Sequence, residues 1–208
     1  MQEIIKGLLH TFYIFSHPFD GFWIIKAEKK GNWKSGMVIL VLLVITTAYR
    51  ILSSGYLFTS KNLSQFSIWV LALLIVACVL LYCIANWALT TLFEVKGKIS
   101  EIFIALMYSI APIVIVNIPI TIMTHIVVSN EAAFVSFINV ISIVWSVFLL
   151  LVGNLTIHEY TMFKSIISVA FTFIAMIAIV VLLILGCNLI QQVWIWITSI
   201  IKEIVLRL

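Results

Sequence analysis

Long runs of apolar residues, separated by short polar breaks, dominate the chain from residue 37 onward. A helix that crosses the hydrocarbon layer of a membrane needs about 20 largely apolar residues, because each residue advances about 1.5 Å and the layer is about 30 Å thick. Five segments meet that requirement, at residues 37–58, 67–93, 102–128, 134–157 and 165–188. The pattern therefore predicts an all-α, polytopic membrane protein with five transmembrane helices.

The polar breaks between these segments are too short to hold a soluble domain. Short connections also force consecutive helices to pack antiparallel. None of the five segments shows the strict alternation of apolar and polar residues that is typical of a transmembrane β-strand. We therefore predict one transmembrane bundle over residues 36–188.

Amphipathic patterns flank this predicted bundle on both sides. In the N-terminal segment, residues 1–35, the side chains of Leu8, Phe12 and Phe15 share one helical face, which predicts a cytoplasmic helix on the membrane surface that ends before Pro18. No cleavage site of the signal-peptide type follows it, so we expect the segment to be retained. The C-terminal segment, residues 189–208, carries a similar apolar stripe. It either lies on the membrane or extends the fifth span. An equal alternative for the stripe itself is that it packs on the protein's own bundle.

Lysine and arginine residues are divided unevenly between the two sides of the predicted bundle. One side holds four of them, and the other holds eight, namely Lys6, Lys26, Lys29, Lys30, Lys34, Lys96, Lys98 and Lys164. Cytoplasmic loops of membrane proteins carry the excess of positive residues. The asymmetry therefore predicts a cytoplasmic N-terminus, and five spans then place the C-terminus outside.

The composition excludes several classes of protein. Hydrophobic residues make up 64% of the chain and charged residues 10%, whereas a soluble domain is nearer half apolar and a quarter charged. The net charge of +4 is scattered, so we expect no nucleic-acid partner. Cys78, Cys83 and Cys187 lie in apolar runs without CxxC or Cys/His spacing. This arrangement indicates neither a disulfide framework nor a metal site.

Arg50 interrupts the first predicted span. A charged side chain at the centre of a membrane helix costs roughly 2.5 to 3.5 kcal/mol on insertion scales and requires a partner or water. Two interpretations remain open. If the span begins at Trp33, Arg50 lies near the outer end and its side chain extends to the membrane surface. Otherwise it is buried and paired, with Glu131 of the outer loop between the third and fourth spans as the expected partner.

The third predicted span combines polar residues with prolines. Asn117, Thr121 and His125 are spaced by four residues and therefore share one helical face. Pro112 and Pro119 each remove a backbone hydrogen bond and predict kinks. A kinked helix with a polar face can line a cavity, so these polar residues and the arginine of the first span form a candidate intramembrane site. The alternative is that the polar groups hold helices together.

The fourth predicted span carries a stripe of small and polar residues, Asn139, Ser142, Ser146 and Gly153. Small side chains on one face allow two helix backbones to approach closely in a membrane. We therefore interpret this stripe as a helix-packing surface.

Motifs for chemistry are scarce in this chain. His158 and Glu159 begin like the zinc-binding motif of metalloproteases, but the second histidine of that motif is missing. There is no nucleophile elbow, no phosphate loop and no pair of acids within a span. The sequence therefore predicts no enzymatic activity, no catalytic residue and no cofactor.

Several segments together resemble one family of membrane proteins. They occupy residues 17–23, 93–98, 108–112, 117–119 and 153–160. In order, spacing and predicted five-span topology, this set is similar to the bacterial branch of the Yip family, whose eukaryotic members are of the Rab-GTPase-interacting type. The resemblance covers most of the chain and implies a bacterial plasma-membrane protein.

The resemblance implies structural and contact roles for particular residues. Gly97 corresponds to a tight turn, and Pro112 and Pro119 correspond to helix kinks. A contact with a partner on the cytoplasmic side is implied for a group of polar and aromatic residues, namely Trp23, Trp33, Asn154, His158, Tyr160 and Lys164.

Bacterial members of the family commonly occur beside ATP-binding-cassette transporters. The resemblance therefore implies a non-enzymatic accessory or scaffold subunit, with the lipid bilayer and a transporter permease or ATPase as partners. Two alternatives remain open, a small transporter, channel or lipid-binding protein and a protein that shapes membranes through its amphipathic helices. The sequence also leaves self-association open.

Overall fold

Seven α-helices form the part of the chain that the computed structural model describes, residues 2–27, 32–55, 66–92, 98–128 and 131–207. The helices are α1 (Gln2–Ser16), α2 (Pro18–Ala27), α3 (Trp33–Ser53), α4 (Ile68–Leu92), α5 (Ile99–Ile126), α6 (Ala132–His158) and α7 (Met162–Arg207). Within these ranges, α3 to α7 are long and apolar enough to cross a membrane. The prediction of an all-helical bundle with five spanning helices is therefore confirmed. Gly97 lies outside the described residues.

The central helix of the bundle is α5. It packs most extensively against α6 and α3, while α7 packs against α4 and α6. Its residues from Ile102 to Ser109 are all buried, including the large side chains of Met107 and Tyr108. The helix continues through Pro112 and Pro119. Lipid chains are as apolar as leucine, so close packing and hydrogen bonds hold such a bundle together.

Two short helices cover one end of the bundle. Pro18 stands at the first position of α2, where its fixed φ and missing N–H are tolerated. In α1 the buried positions are Gly7, Thr11 and Ile14, while the apolar side chain of Phe12 is 61% exposed. The predicted amphipathic helix thus packs on the bundle through these residues. Of the predicted apolar face, Leu8 packs against the core and Phe15 contacts Trp145, while Phe12 remains uncovered.

Helix bounds differ from the sequence prediction at the first and fifth spans. The side chain of Asn32 accepts a hydrogen bond from the Lys34 N–H at 3.0 Å and caps α3, so this helix begins at Trp33 and not at residue 37. The fifth span continues without interruption from Met162 to Arg207. The C-terminal segment therefore extends the last span, one of the two alternatives that the sequence left open.

The two ends of the bundle have different polar residues. We call the end that carries α1, α2 and the turn between α6 and α7 the Lys26 end. The opposite end, where α3 and α5 end and α6 begins, we call the Arg50 end. Lys26 and Lys98 line one cavity of about 210 Å³ at the Lys26 end.

Candidate functional site

A concave surface at the Lys26 end combines aromatic and charged side chains. Its cavity of about 520 Å³ lies between α2 and the turn that joins α6 to α7. We call it the Lys26 surface. Its lining residues are Phe19, Asp20, Trp23, Lys26, Leu155, Thr156, Glu159 and Tyr160.

One ion pair holds the two walls of the Lys26 surface together. The Nζ of Lys26 donates to Glu159 Oε1 at 2.7 Å and to the carbonyl oxygen of Thr156 at 3.0 Å. Glu159 adopts a left-handed conformation, with φ of 55°, and the Tyr160 N–H closes the helix end by donating to the Leu155 carbonyl at 3.0 Å. These contacts fix the turn against α2.

The ion pair also sets the ionisation of the carboxyl group. The hydrogen bond from Lys26, together with its positive charge, holds the pKa of Glu159 below its usual range. Burial raises the pKa of the Tyr160 phenol beside it. Because the pKa of Glu159 is lowered in the folded state, the contribution to stability is present above the carboxyl's unfolded pKa and is lost as the pH falls through the folded one.

Removing the lysine should therefore restore the ordinary ionisation of the carboxyl group. In Lys26→Gln we expect the pKa of Glu159 to rise toward its usual value, measured by the pH dependence of its side-chain carboxyl ¹³C chemical shift. Lys164→Gln, which removes an equal charge from the start of α7, serves as the control and should leave that pKa near the wild-type value. An unchanged Glu159 pKa in Lys26→Gln would show that the ion pair does not form in solution.

Beneath this surface, a buried polar network joins α4, α6 and α7. The Nδ2 of Asn86 donates to Asn154 Oδ1 at 3.2 Å and to Thr172 Oγ1 at 3.3 Å, and its Oδ1 accepts from His158 Nε2 at 3.1 Å. Asn154 extends the network by donating to Ser165 Oγ at 3.4 Å. All five side chains are buried. We call them the Asn86 network.

The predicted partner-contact residues lie in four different environments. Trp23 and Tyr160 line the Lys26 surface, and Lys164 is exposed at the start of α7. The indole of Trp33 packs on the ring of Phe103, with 4.3 Å between centroids. The last two belong to the interior: Asn154 and His158, both on α6, bind within the Asn86 network.

At the Arg50 end, the arginine meets two asparagines. Arg50 Nη1 donates to Asn117 Oδ1 at 3.1 Å and to Asn139 Oδ1 at 2.9 Å, which links α3 to α5 and α6. Arg50 is half-buried and lies three residues before the end of α3. In the described part of the chain it forms no ion pair, so Glu131 is not its partner.

The other two members of the predicted intramembrane group bind elsewhere. Thr121 is buried and its hydroxyl donates to the Asn117 carbonyl on its own helix at 2.7 Å. His125 is exposed and its Nε2 donates to the Ser53 carbonyl at the end of α3. The shared face of α5 therefore packs along the end of α3, but only Asn117 bonds to Arg50.

Sequence reasoning missed Asn86 and Lys26 as site residues. Asn86 stands alone in a long apolar span, which is itself a signal, because a polar side chain at membrane depth requires a partner. Lys26 carried no such signal, since its partner Glu159 lies 133 residues away along the chain.

Among the described residues, no group of three or more histidine, cysteine, aspartate or glutamate side chains is placed to hold a metal ion. The arrangement offers three things: an aromatic and charged concave surface, a buried polar network and an arginine held by two amides.

We find no curated protein and no solved structure that matches this chain. A family model, however, the Yip1 domain, matches residues 12–184, which is most of the sequence and includes all five spanning helices in whole or in part. The chain therefore belongs to the Yip1 domain family.

Proposed function

We propose that this protein is a non-enzymatic accessory subunit that binds an ATP-binding-cassette transporter through the Lys26 surface. The observation that carries the proposal is the side chain of Trp23, which is 60% exposed on the rim of the 520 Å³ cavity. Tryptophan and tyrosine are enriched among the residues that dominate binding energy in protein interfaces. A concave surface lined by both is typical of a contact site.

The rigidity of this surface supports the same role. The ring of Phe22 is buried, and Gly153 of α6 lies so close that a Cβ there would stand 3.1 Å from it. The ion pair of Lys26 with Glu159 adds a second tie between α2 and the turn after α6. Because the aromatic side chains project from a helix that is already fixed, less conformational entropy is lost when a partner binds.

The partner class follows from the family resemblance described above, which implies a transporter permease or ATPase. The excess of lysine at the Lys26 end favours a cytoplasmic position for this surface. On the cytoplasmic side, the Lys26 surface would be within reach of an ATPase subunit. The proposal accordingly includes a bacterial plasma membrane and a cytoplasmic N-terminus.

Mild-detergent co-purification from the native host tests this function. We expect the wild-type protein to carry a transporter permease or ATPase in stoichiometric amount, identified by mass spectrometry. Trp23→Ala should reduce the recovered partner at least about tenfold, because truncating a central interface tryptophan commonly costs about 2 kcal/mol or more.

Trp69→Ala is the matched control. Trp69 lies on α4 and is 82% exposed, but it is remote from the Lys26 surface. This variant should retain the partner at the wild-type level. Purification of the wild-type chain alone, or equal recovery of the transporter with Trp23→Ala, would contradict the proposal.

A further inference from the structure

Within the described parts of the chain, the guanidinium group of Arg50 is bound on one side only. Its Nη1 carries two N–H groups, and the carboxamide oxygens of Asn117 and Asn139 accept one bond each. Both acceptors are neutral. They orient the arginine between α3, α5 and α6 and leave its positive charge uncompensated.

The opposite edge of the same group is available. An arginine has five N–H donors, and those on Nε and Nη2 lie parallel along one edge. Neither nitrogen has a hydrogen-bond partner in the described parts of the chain, and neither is among the buried polar atoms that lack one. The Nε and Nη2 edge of this half-buried side chain is therefore not completely enclosed by the described residues.

Among the described residues, none supplies this edge with an ionic partner. His125 on α5 faces the end of α3, where it binds the Ser53 carbonyl, and Glu131 precedes α6 with an exposed side chain. No carboxylate of a described residue forms an ion pair with Arg50. An arginine within a membrane-spanning helix is costly unless an anion, a polar partner or water offsets its charge.

We propose that the Nε and Nη2 edge of Arg50 binds the phosphate group of a membrane phospholipid. The planar fork of arginine matches two oxygens of a phosphate and forms two charge-assisted hydrogen bonds with it. Arg50 lies in the last turn of α3, at the depth where phospholipid headgroups supply that phosphate. This inference concerns the opposite end of the bundle from the Lys26 surface and does not rest on the accessory role.

Native mass spectrometry of the purified protein with added lipids tests the site. Three ligands are compared: phosphatidylglycerol, a diacylglycerol with the same acyl chains, and inorganic phosphate. We expect the wild-type protein to retain phosphatidylglycerol at least about tenfold more tightly than diacylglycerol, as one bidentate charged pair would provide. Inorganic phosphate at millimolar concentration should not displace the lipid. Equal retention of diacylglycerol would overturn the proposal, and displacement by inorganic phosphate would identify free phosphate as the ligand and overturn the lipid assignment.

Substitution of the arginine assigns the binding to this residue. Arg50→Gln should lose that preference for phosphatidylglycerol, whereas Lys164→Gln, which removes an exposed charge at the Lys26 end, should keep it. If Arg50→Gln does not yield folded protein, Arg50→Lys replaces it, because lysine keeps the charge but lacks the fork. Binding should then weaken several-fold at an unchanged melting temperature. Wild-type affinity in the folded variant that is tested would overturn the proposal.

Discussion

Replacing Gly55 with alanine is expected to destabilise the protein by about 1 to 3 kcal/mol, the cost of forcing an extra carbon into a closely packed site. Gly55 is the second residue after α3 and is buried against the end of α5. Its N–H donates to Thr124 Oγ1 at 3.0 Å, and an added Cβ would overlap the Thr124 carbonyl oxygen and lie 3.0 Å from its carbon. Backbone atoms cannot rotate away as a side chain can, so the ends of α3 and α5 would have to separate.

Gly186→Ala is the matched control for this substitution. Gly186 lies inside α7, and a Cβ there would meet no atom within 4 Å. Alanine is preferred to glycine within a helix, so stability should be unchanged or raised by up to about 1 kcal/mol. The free energy of unfolding can be measured for both variants by SDS denaturation in mixed micelles. Similar stabilities for the two variants would show that α3 and α5 do not approach as closely as described.

The second large effect is expected from Asn86→Leu, which should destabilise the protein by about 2 to 3 kcal/mol. Asn86 is fully buried, and its removal deprives His158, Asn154 and Thr172 of a hydrogen-bond partner. Each buried polar group left without a partner costs about 1 to 3 kcal/mol in water-soluble proteins. Membrane proteins show lower values, about 0.6 kcal/mol per hydrogen bond on average. The expected destabilisation is therefore well below the sum of the costs for the three unpaired groups.

The same substitution at an exposed position of a spanning helix serves as the control. Asn188 on α7 is exposed, and Asn188→Leu should change the free energy of unfolding by less than about 0.5 kcal/mol. The double variant Asn86→Leu with His158→Leu should cost less than the sum of the two single changes, because each residue loses its partner only once. Strictly additive costs would contradict the bond between Asn86 and His158.

His158 is buried, although the family resemblance implies that it contacts a partner. The motif around residues 153–160 predicted a contact surface, and the turn does carry Tyr160 on the Lys26 surface. The helix, however, turns His158 inward to Asn86, since its Nε2 meets that carboxamide 72 residues away along the chain. His158 stands where the apolar span meets the polar break that follows it, so periodicity alone does not reveal whether its side chain faces the interior.

For Arg50, too, the sequence showed one part of the arrangement and the structure the other. Its place in the first span was evident from the sequence, and so was the need for a partner. The identity of the partner was not evident, because Glu131 carries the opposite charge. Asn117 and Asn139 are neutral, and only their position in the fold makes them partners. Because α3 ends at Ser53, Arg50 lies in its last turn, where its guanidinium group reaches both asparagines.

The sequence by itself determined that this is a membrane protein and how many helices are long and apolar enough to span the membrane. The reason is that the transfer of a segment into lipid depends on its own length and composition. The sequence also determined the family, because the family is recognised from the sequence of residues 12–184 alone. Only the tertiary structure decided which faces meet, that α7 continues through residue 207, and that Lys26 binds Glu159. The physical reason is that lipid is as apolar as the helix surfaces, so hydrophobicity does not distinguish a buried face from an exposed one. Packing and hydrogen bonds between distant residues make that choice.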